Sequence, residues 1–251
     1  MSIPGDHSRL LDERGYVPLP GFIGEDLRRR ARARIEELFG IEGDAAGAEF
    51  KTEPGARRLA NLVDKGDVFL ECILEPRVLA HVGHVLGPRF KLSSLNARSA
   101  EPGATAQPLH VDAGALPDER GYWVCNTLWM LDDLTETNGA LRVVPGSHRT
   151  GRLPQEPRAD EVLVTGRAGD LVVMNSHLWH GGAANRSERP RLALHAFYCR
   201  SDKPQQQYQK ALLRAETQAA LAPAARALLA LDDPENDALS ASGAGASGFM
   251  R

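Results

Sequence analysis

The sequence predicts a mainly β fold, a sandwich or barrel, with helices before and after it, and three observations carry that prediction. Between residues 90 and 200, short β-prone runs alternate with turn residues. Ahead of that stretch, residues 24–40 and 68–87 place apolar side chains at helical spacing, and behind it residues 208–233 carry Ala and Leu at the same period. A chain of 251 residues, 42% of them hydrophobic, can bury one full core. A single domain over 1–251 is therefore expected: 1–89 as a strand with supporting helices, 90–200 as the β core, and 201–251 as terminal helices with a tail that either moves or orders over a site.

In chain order, GYVPLPGFI (15–23) reads as a short strand running into a turn. GEDLRRRARARIEELFG (24–40) reads as an amphipathic helix with Leu27, Ala31, Ile35 and Leu38 on one face, acids at its start and Gly40 after it. Scattered Gly, Asp, Lys and Pro predict a loop over 41–66. VFLECILEPRVLAHVGHVLG (68–87) predicts two short helices broken before Pro76, the second packing Val78, Leu79, Val82 and Leu86. His81 and His84 stand at i, i+3 on it, but with no acidic partner nearby, packing or helix surface is the simpler reading. The β core follows as FKLSSLNAR, QPLHVDA, GYWVCNTLWMLDD, GALRVVPGS, VLVTG, GDLVVMNSHLWHGG and RLALHAFYCR, and helices return in YQKALLRAETQAAL and AARALLALDD.

Composition excludes several classes. A net charge of −3 offers no basic field for nucleic acid or anionic lipid. Cys72, Cys125 and Cys199 are odd in number and lack C-x-x-C spacing, which predicts buried thiols rather than disulfides or a zinc knuckle. The opening MSIPGDHSRLLDERG has no basic-then-apolar signal pattern, and no apolar run is long enough to cross a bilayer. A cytoplasmic protein free of membrane and nucleic-acid partners is expected, with its oligomeric state open.

The chemistry begins at QPLHVDAG (107–114). Alternate residues of a strand share a face at roughly 3.3 Å per residue, so His110 and Asp112 can converge on one ion. For a third ligand, MNSHLWHGG offers His177 and His180. If the strand from Leu171 runs on to the glycines, Val172, Met174, Ser176, Leu178 and His180 share one face and His177 takes the other. His180 is therefore chosen, and His177 is left facing outward or supporting. Two histidines and one carboxylate leave positions open on a non-haem iron. The H-E-x-x-H helix of zinc hydrolases is absent. Arg191 opens a strand eleven residues after His180, and its guanidinium fork suits a carboxylate-bearing cosubstrate beside the metal.

LHVD, LDDLTETNGALRVVPGSHR (131–149) and HGGAANRSERPR (180–191), in that order, resemble the phytanoyl-CoA dioxygenase-like group of iron(II)- and 2-oxoglutarate-dependent oxygenases. The likeness covers residues 107–198, and GYVPLPGFI with its helix resembles the family's opening. It implies a double-stranded β-helix of jelly-roll, cupin-like form, with Fe(II) on His110, Asp112 and His180 and the cosubstrate's distal carboxylate on Arg191. Many members carry a serine or threonine two residues after the distal histidine to assist that carboxylate, where this chain has Gly182. By strand parity and nearness to the motif, Lys91, Asn96, Gln107 and Thr127 are further candidates for cosubstrate contact. Of Tyr122, Trp123 and Trp129, Trp129 is the candidate to meet substrate. His148 is expected to serve its turn. His195, on Arg191's face by alternation, is expected in packing or support.

The activity so implied uses O2 to decarboxylate 2-oxoglutarate to succinate and CO2 and hydroxylates, or otherwise oxidises, a small organic molecule. Asp112 argues against a halogenase, since related halogenating enzymes put a small residue there. Two alternatives stand beside it: an inactive binder of metal and 2-oxoglutarate, and a non-redox metalloenzyme of cupin type. Residues 41–66, the 113–122 loop and the C-terminal tail are expected around the mouth of the pocket.

Overall fold

In the structure, a computed structural model that describes residues 2–50, 52–112, 116–154 and 159–241, antiparallel strands form two facing sheets. The strands are β1 (Tyr16–Leu19), β2 (Ala56–Leu59), β3 (Phe90–Ala100), β4 (Val124–Met130), β5 (Leu141–Val143), β6 (Val162–Val164), β7 (Leu171–Asn175), β8 (His180–Gly182) and β9 (Arg191–Arg200). The larger sheet runs β1-β7-β4-β9-β3-β2 and the smaller β6-β5-β8. This is the predicted double-stranded β-helix. The helices are α1 (Gly5–Arg14), α2 (Glu25–Glu42), α3 (Asp67–Ile73), α4 (Pro76–Leu86), α5 (Gln209–Leu212), α6 (Ala215–Ala220), α7 (Pro223–Leu228) and α8 (Pro234–Ala241). No helix among the described residues is long and apolar enough to cross a membrane.

Strand alternation sorts the larger sheet into two chemically different faces. Leu192, Leu194, Ala196 and Tyr198 of β9, Cys125 and Trp129 of β4, and Leu171 and Val173 of β7 join one apolar cluster with Ala31, Ile35 and Leu38 of α2, Phe69 and Ile73 of α3, and Val78 and Val82 of α4. Their neighbours Arg191, His195 and Phe197, Asn126 and Leu128, and Val172 and Met174 line a cavity between the sheets. The helices thus cover the greasy face and leave the polar one for chemistry. The three cysteines are all buried.

A bulge in β3 adjusts this alternation. The pairing with β9 slips between Leu92 and Ser94, so Leu92 and Leu95 both join the helix-side cluster. The displaced backbone seats a glutamine-rich segment: Gln205 donates to the Leu92 carbonyl at 2.8 Å, the Gln206 N–H to Ser93 Oγ at 2.5 Å, and the Gln207 N–H to the Ser93 carbonyl at 2.9 Å.

Several expectations need correction. The stretch 41–66 is not all loop, because β2 pairs with the edge of β3, Ala56 opposite Ala100 and Leu59 opposite Ala97. Of its four residues only Leu59 is buried, so the strand carries no apolar alternation to read. QPLHVDA is not a strand: His110 makes a single bridge to His180. GDLVVMNSHLWHGG breaks after Asn175, where the Leu178 N–H returns to the Asn175 carbonyl and the Asn175 side chain accepts from the His177 N–H, and the chain crosses to the other sheet as β8. The continuous strand behind the parity argument for His180 does not exist. Helix α2 runs two residues past Gly40, and α1 carried no sequence prediction. His81 and His84 dock α1, through His7 at 3.0 Å and Asp12 at 2.8 Å, and belong to no metal-binding group among the described residues. The tail from residue 242, and residues 113–115 of the loop expected at the mouth, lie outside the described residues.

Gly15 joins α1 to β1 at φ +83°, and a β-carbon there would stand 2.6 Å from His148 Nδ1 and 2.9 Å from Leu178 Cδ1. Gly15→Ala should therefore lower the unfolding free energy by roughly 2–4 kcal/mol, combining strain at positive φ with overpacking. Gly40→Ala, in α2 with nothing within 4 Å, should raise it by roughly 0.5–1 kcal/mol. Denaturant unfolding of the two variants checks the pair, and a neutral Gly15→Ala would contradict the close approach.

Candidate active site

The backbones of His110 and His180 hold each other by reciprocal hydrogen bonds, His110 N–H to the His180 carbonyl at 2.8 Å and His180 N–H to the His110 carbonyl at 2.9 Å. Each ring then turns Nδ1 onto the carbonyl two residues earlier, Pro108 at 2.9 Å and Leu178 at 2.8 Å. A carbonyl can only accept, so Nδ1 carries the proton and Nε2 presents its lone pair. Asp112 completes the group: its N–H donates to the Ser176 carbonyl, and Oδ2 accepts from Asn126 Nδ2 at 3.3 Å. Asp112 Oδ1 lies 3.6 Å from His180 Nε2 and 4.0 Å from His110 Nε2. One ligand atom from each of the three falls within 4.8 Å of the others, the geometry of a candidate metal centre.

Burial by itself would push the Asp112 carboxyl up, but the charge and hydrogen bond of His180 outweigh it and hold the group well below the usual carboxylate range. Burial likewise opposes a charge on His180, and Asp112 overcomes it and raises that ring. The carboxylate stays ionised and draws positive charge to the point where the two Nε2 atoms converge.

From this cluster a cavity of about 830 Å³ extends between the sheets. Its polar wall includes Ser94, Asn96, Arg98, His195 and Arg191, and its apolar wall includes Leu128, Leu141, Val172, Met174 and Phe197. Arg191, 4% exposed, donates Nη2 to the Gly139 carbonyl, while its Nε finds no partner among the described residues. Burial first, then the charge of Arg98, lowers its pKa to about 10, which leaves it a cation at neutral pH. Gly139, at φ +89°, keeps its carbonyl against that guanidinium where a β-carbon would crowd Nη2 at 3.4 Å. Asn185 braces the connection that delivers Arg191, donating to the carbonyls of Ala100 at 2.8 Å and Arg189 at 2.9 Å and accepting from Ser187. The NG and N-x-S parts of the sequence motifs thus serve the arginine.

The other sequence candidates divide. Gln107 and Asn96 line the cavity. Thr127 and Trp129 do not: they face the helices, Trp129 Nε1 donating to Thr127 Oγ1 at 3.0 Å and Thr127 Oγ1 to the Ala196 carbonyl. Trp129 packs edge-on against Phe22, away from any substrate in the cavity. Lys91 lies beyond the bulge, its ammonium on the Ser201 carbonyl at 2.9 Å. His177 is buried rather than outward, its Nε2 accepting from the Trp123 N–H. His148 donates through Nε2 to the Asp12 carbonyl at 3.2 Å, a structural role as expected. His195 lines the cavity instead of packing: its Nε2 has no partner among the described residues, and burial, with Arg58, Arg191 and Arg98 around it, pushes its pKa down to about 3.

Sequence reasoning missed Glu53, Arg58, Arg98 and Asn126. Arg98 and Asn126 were available by alternation, two residues from Asn96 and one from Thr127. Glu53 and Arg58 sat in the supposed loop. Glu53 receives Arg58 Nε at 3.0 Å, Arg98 Nη2 at 2.7 Å and Gln107 Nε2 at 2.9 Å. Part of the 41–66 segment therefore does reach the cavity.

A family model described as phytanoyl-CoA dioxygenase (PhyH) matches residues 11–193. The chain belongs to this family. It is a dioxygenase by that membership, and its relatives carry the same description. Dioxygenase af480 of Aspergillus fumigatus is 29% identical over 231 residues, which is 88% of this chain and 75% of that protein. The 2-aminoethylphosphonate dioxygenase of an uncultured bacterium is 27% identical over 207 residues, 75% of this chain and 78% of that one. Among solved structures, the non-haem, α-ketoglutarate-dependent carbocyclase SnoK of nogalamycin biosynthesis superposes with a TM-score of 0.67 at 24% identity, covering 80% of this chain and 85% of its own. HygX of Streptomyces hygroscopicus, solved with nickel and 2-oxoglutarate, gives 0.66 at 19% identity over 82% and 90%. At these identities the structural likenesses speak for the shared fold.

Burial would raise the Glu53 carboxyl, yet the bond from Arg98 and the charges of Arg58 and Arg98 hold it at about 2 against an ordinary 4.5. A depressed acid stabilises the fold fully above its unfolded pKa and loses that contribution as pH falls toward the folded one. Glu53→Gln should thus cost about 3 kcal/mol near neutral pH, on the conversion of one pKa unit to about 1.4 kcal/mol. The deficit should hold steady above pH 5 and narrow below about 4.5, as read from unfolding free energies of both proteins at stepped pH.

Proposed function

We propose that His110, Asp112 and His180 hold iron(II), that Arg191 holds the distal carboxylate of 2-oxoglutarate, and that the enzyme oxidises a small organic molecule in the cavity between the sheets. The observation that carries this reading is the donor set itself: two Nε2 lone pairs fixed by Nδ1–carbonyl bonds and one ionised carboxylate, converging in the same cavity as a buried arginine whose Nε has no partner among the described residues. Both halves fit their groups. Two neutral imidazoles and a carboxylate suit a non-haem iron(II) with open positions, and a buried guanidinium with no carboxylate partner among the described residues suits an incoming anion.

When bound, iron(II) and 2-oxoglutarate supply the oxidising chemistry, with O2 consumed and succinate and CO2 released. The chain supplies orientation and exclusion of water. Asn126 fixes the Asp112 carboxylate, and Pro108 and Leu178 fix the rings. His195, neutral at physiological pH, offers a hydrogen-bonding atom, Nε2, to the cavity. The apolar wall of Leu128, Leu141, Val172, Met174 and Phe197 receives the carbon skeleton of the substrate. A volume of about 830 Å³ lies in the usual range for small-molecule sites. Hydroxylation is the default outcome in such a site, and the setting is cytoplasmic.

The test is an anaerobic titration of the apoprotein with iron(II) and then 2-oxoglutarate, following the visible charge-transfer band of a chelated 2-oxo acid. The wild type should develop the band. Arg191→Ala should require roughly 100-fold more 2-oxoglutarate, in line with loss of a buried charge-assisted pair. Alanine at His110, Asp112 or His180 should abolish both the band and succinate formation in air, while His177→Ala keeps iron. Iron binding without a band would sink the cosubstrate assignment, and full activity in any of the three ligand variants would sink the metal site.

A further inference from the structure

Position 182 raises a question of its own. A β-carbon on Gly182 would stand 3.1 Å from Gln107 Oε1 and 3.8 Å from Arg98 Nη1. The space a side chain would fill there is faced by a guanidinium. Arg98 reaches it from β3, its side chain only 9% exposed, with Nε and Nη2 both directed at Glu53 and with Nη1 bonded to nothing among the described residues. Gln107 fixes the local geometry, accepting the Gly182 N–H at 2.9 Å and donating to Glu53.

The charges do not balance in this corner. Among the described residues, Arg58, Arg98 and Arg191 line the cavity with Glu53 as their one carboxylate, since Asp112 belongs to the histidine cluster. Glu53 is shared between Arg58 and Arg98. Arg191 forms no ion pair with a described residue, and it feels the Arg98 charge as repulsion. Two guanidinium groups facing one buried space, with no carboxylate of a described residue between them, are costly unless a ligand brings an anion.

We infer that Arg98 takes the place of a side chain at position 182, so that Arg191 and Arg98 together clamp the distal carboxylate of the 2-oxo dicarboxylic acid. This rests on the cosubstrate reading above and adds to it a second charged anchor, from a different strand, held in place by Glu53. Two cations on one carboxylate discriminate a dicarboxylate from a monocarboxylate more sharply than one cation with a hydroxyl. Arg98 contributes nothing to the end of the acid that chelates the metal, and that separation makes the inference testable.

The experiment titrates iron(II)-loaded protein under nitrogen with 2-oxoglutarate and, separately, with 2-oxopentanoate, which has the same chelating end and no distal carboxylate. Arg98→Met should weaken 2-oxoglutarate binding by about 10- to 100-fold, the range for a charge-assisted hydrogen bond to a carboxylate. It should leave 2-oxopentanoate within about twofold of wild type, the scatter expected when no charge-assisted contact is lost. Glu53 keeps Arg58, so the variant strands no anion; should it nevertheless fail to fold, Arg98→Lys carries the test. Lysine keeps the charge but loses the fork, and should weaken 2-oxoglutarate alone, by several-fold. Unchanged 2-oxoglutarate affinity overturns the inference, and so does an equal loss for both acids, which would make Arg98 a support for the metal end. If the wild type binds neither acid, the cosubstrate reading itself fails and the inference falls with it.

Discussion

The reciprocal backbone pairing of His110 and His180 is the contact on which the site depends. Strand β8 has only three residues, and the segment before Asp112 is no strand, so neither side chain would be well placed by its own element. The two N–H to carbonyl bonds join the 107–112 segment to the smaller sheet and set the ring centroids 4.4 Å apart. Once the backbones are fixed, each ring has its own anchor through Nδ1, and the chemistry of Nε2 follows from that anchor. Asp112 then needs only a carbonyl at Ser176 and an amide at Asn126 to aim at the same point. Many weak, local bonds replace the long strand that the alternation of His110 and Asp112 suggested.

Charge is the second organising theme. The larger sheet presents an apolar face to helices and a cationic one to the cavity, and the two cannot be exchanged by a one-residue slip without burying arginines among leucines. Register is therefore strongly specified. Glu53 moderates the cationic face: its carboxylate offsets part of the repulsion among Arg58, Arg98 and Arg191 and ties an edge strand to the barrel in doing so. The same cluster thus joins the edge strand to the cavity wall.

Much of this was legible in the sequence, and the failures have physical causes. The helices α2, α3 and α4 and the strands β3, β4, β7 and β9 all carry a clear period because one face of each is buried in a single apolar cluster. The order of HxD, the distal histidine and the arginine picked out residues that the structure brings to one cavity. Strand parity failed in two ways: where the backbone leaves regular alternation, and where local pattern does not tell which face of a regular strand meets the cavity. His180 faces the cavity because the chain turns at residues 176–179, and Thr127 was misplaced because β4 sends its odd positions to the helices. Glu53 and Arg58 were invisible because an edge strand with one buried residue looks like a loop, and their importance is a matter of long-range pairing that no local pattern encodes.

The bulge in β3 has a consequence beyond local register. By turning Ser93 and its carbonyl toward Gln206 and Gln207, it brings a piece of the C-terminal region into the cavity wall, where Gln206 accepts from Ser94 Oγ at 2.5 Å. That wall is therefore assembled from two parts of the chain with separate structural duties. One belongs to the barrel and is constrained by sheet pairing and by the His110–Asp112–His180 cluster. The other is a docked segment held by the bulge on one side and by Leu229, Asn236 and Ser240 of the C-terminal region on the other. Substitution of Gln206 would change the polarity of the chamber without touching the His110–Asp112–His180 cluster, because the two walls share no side chain.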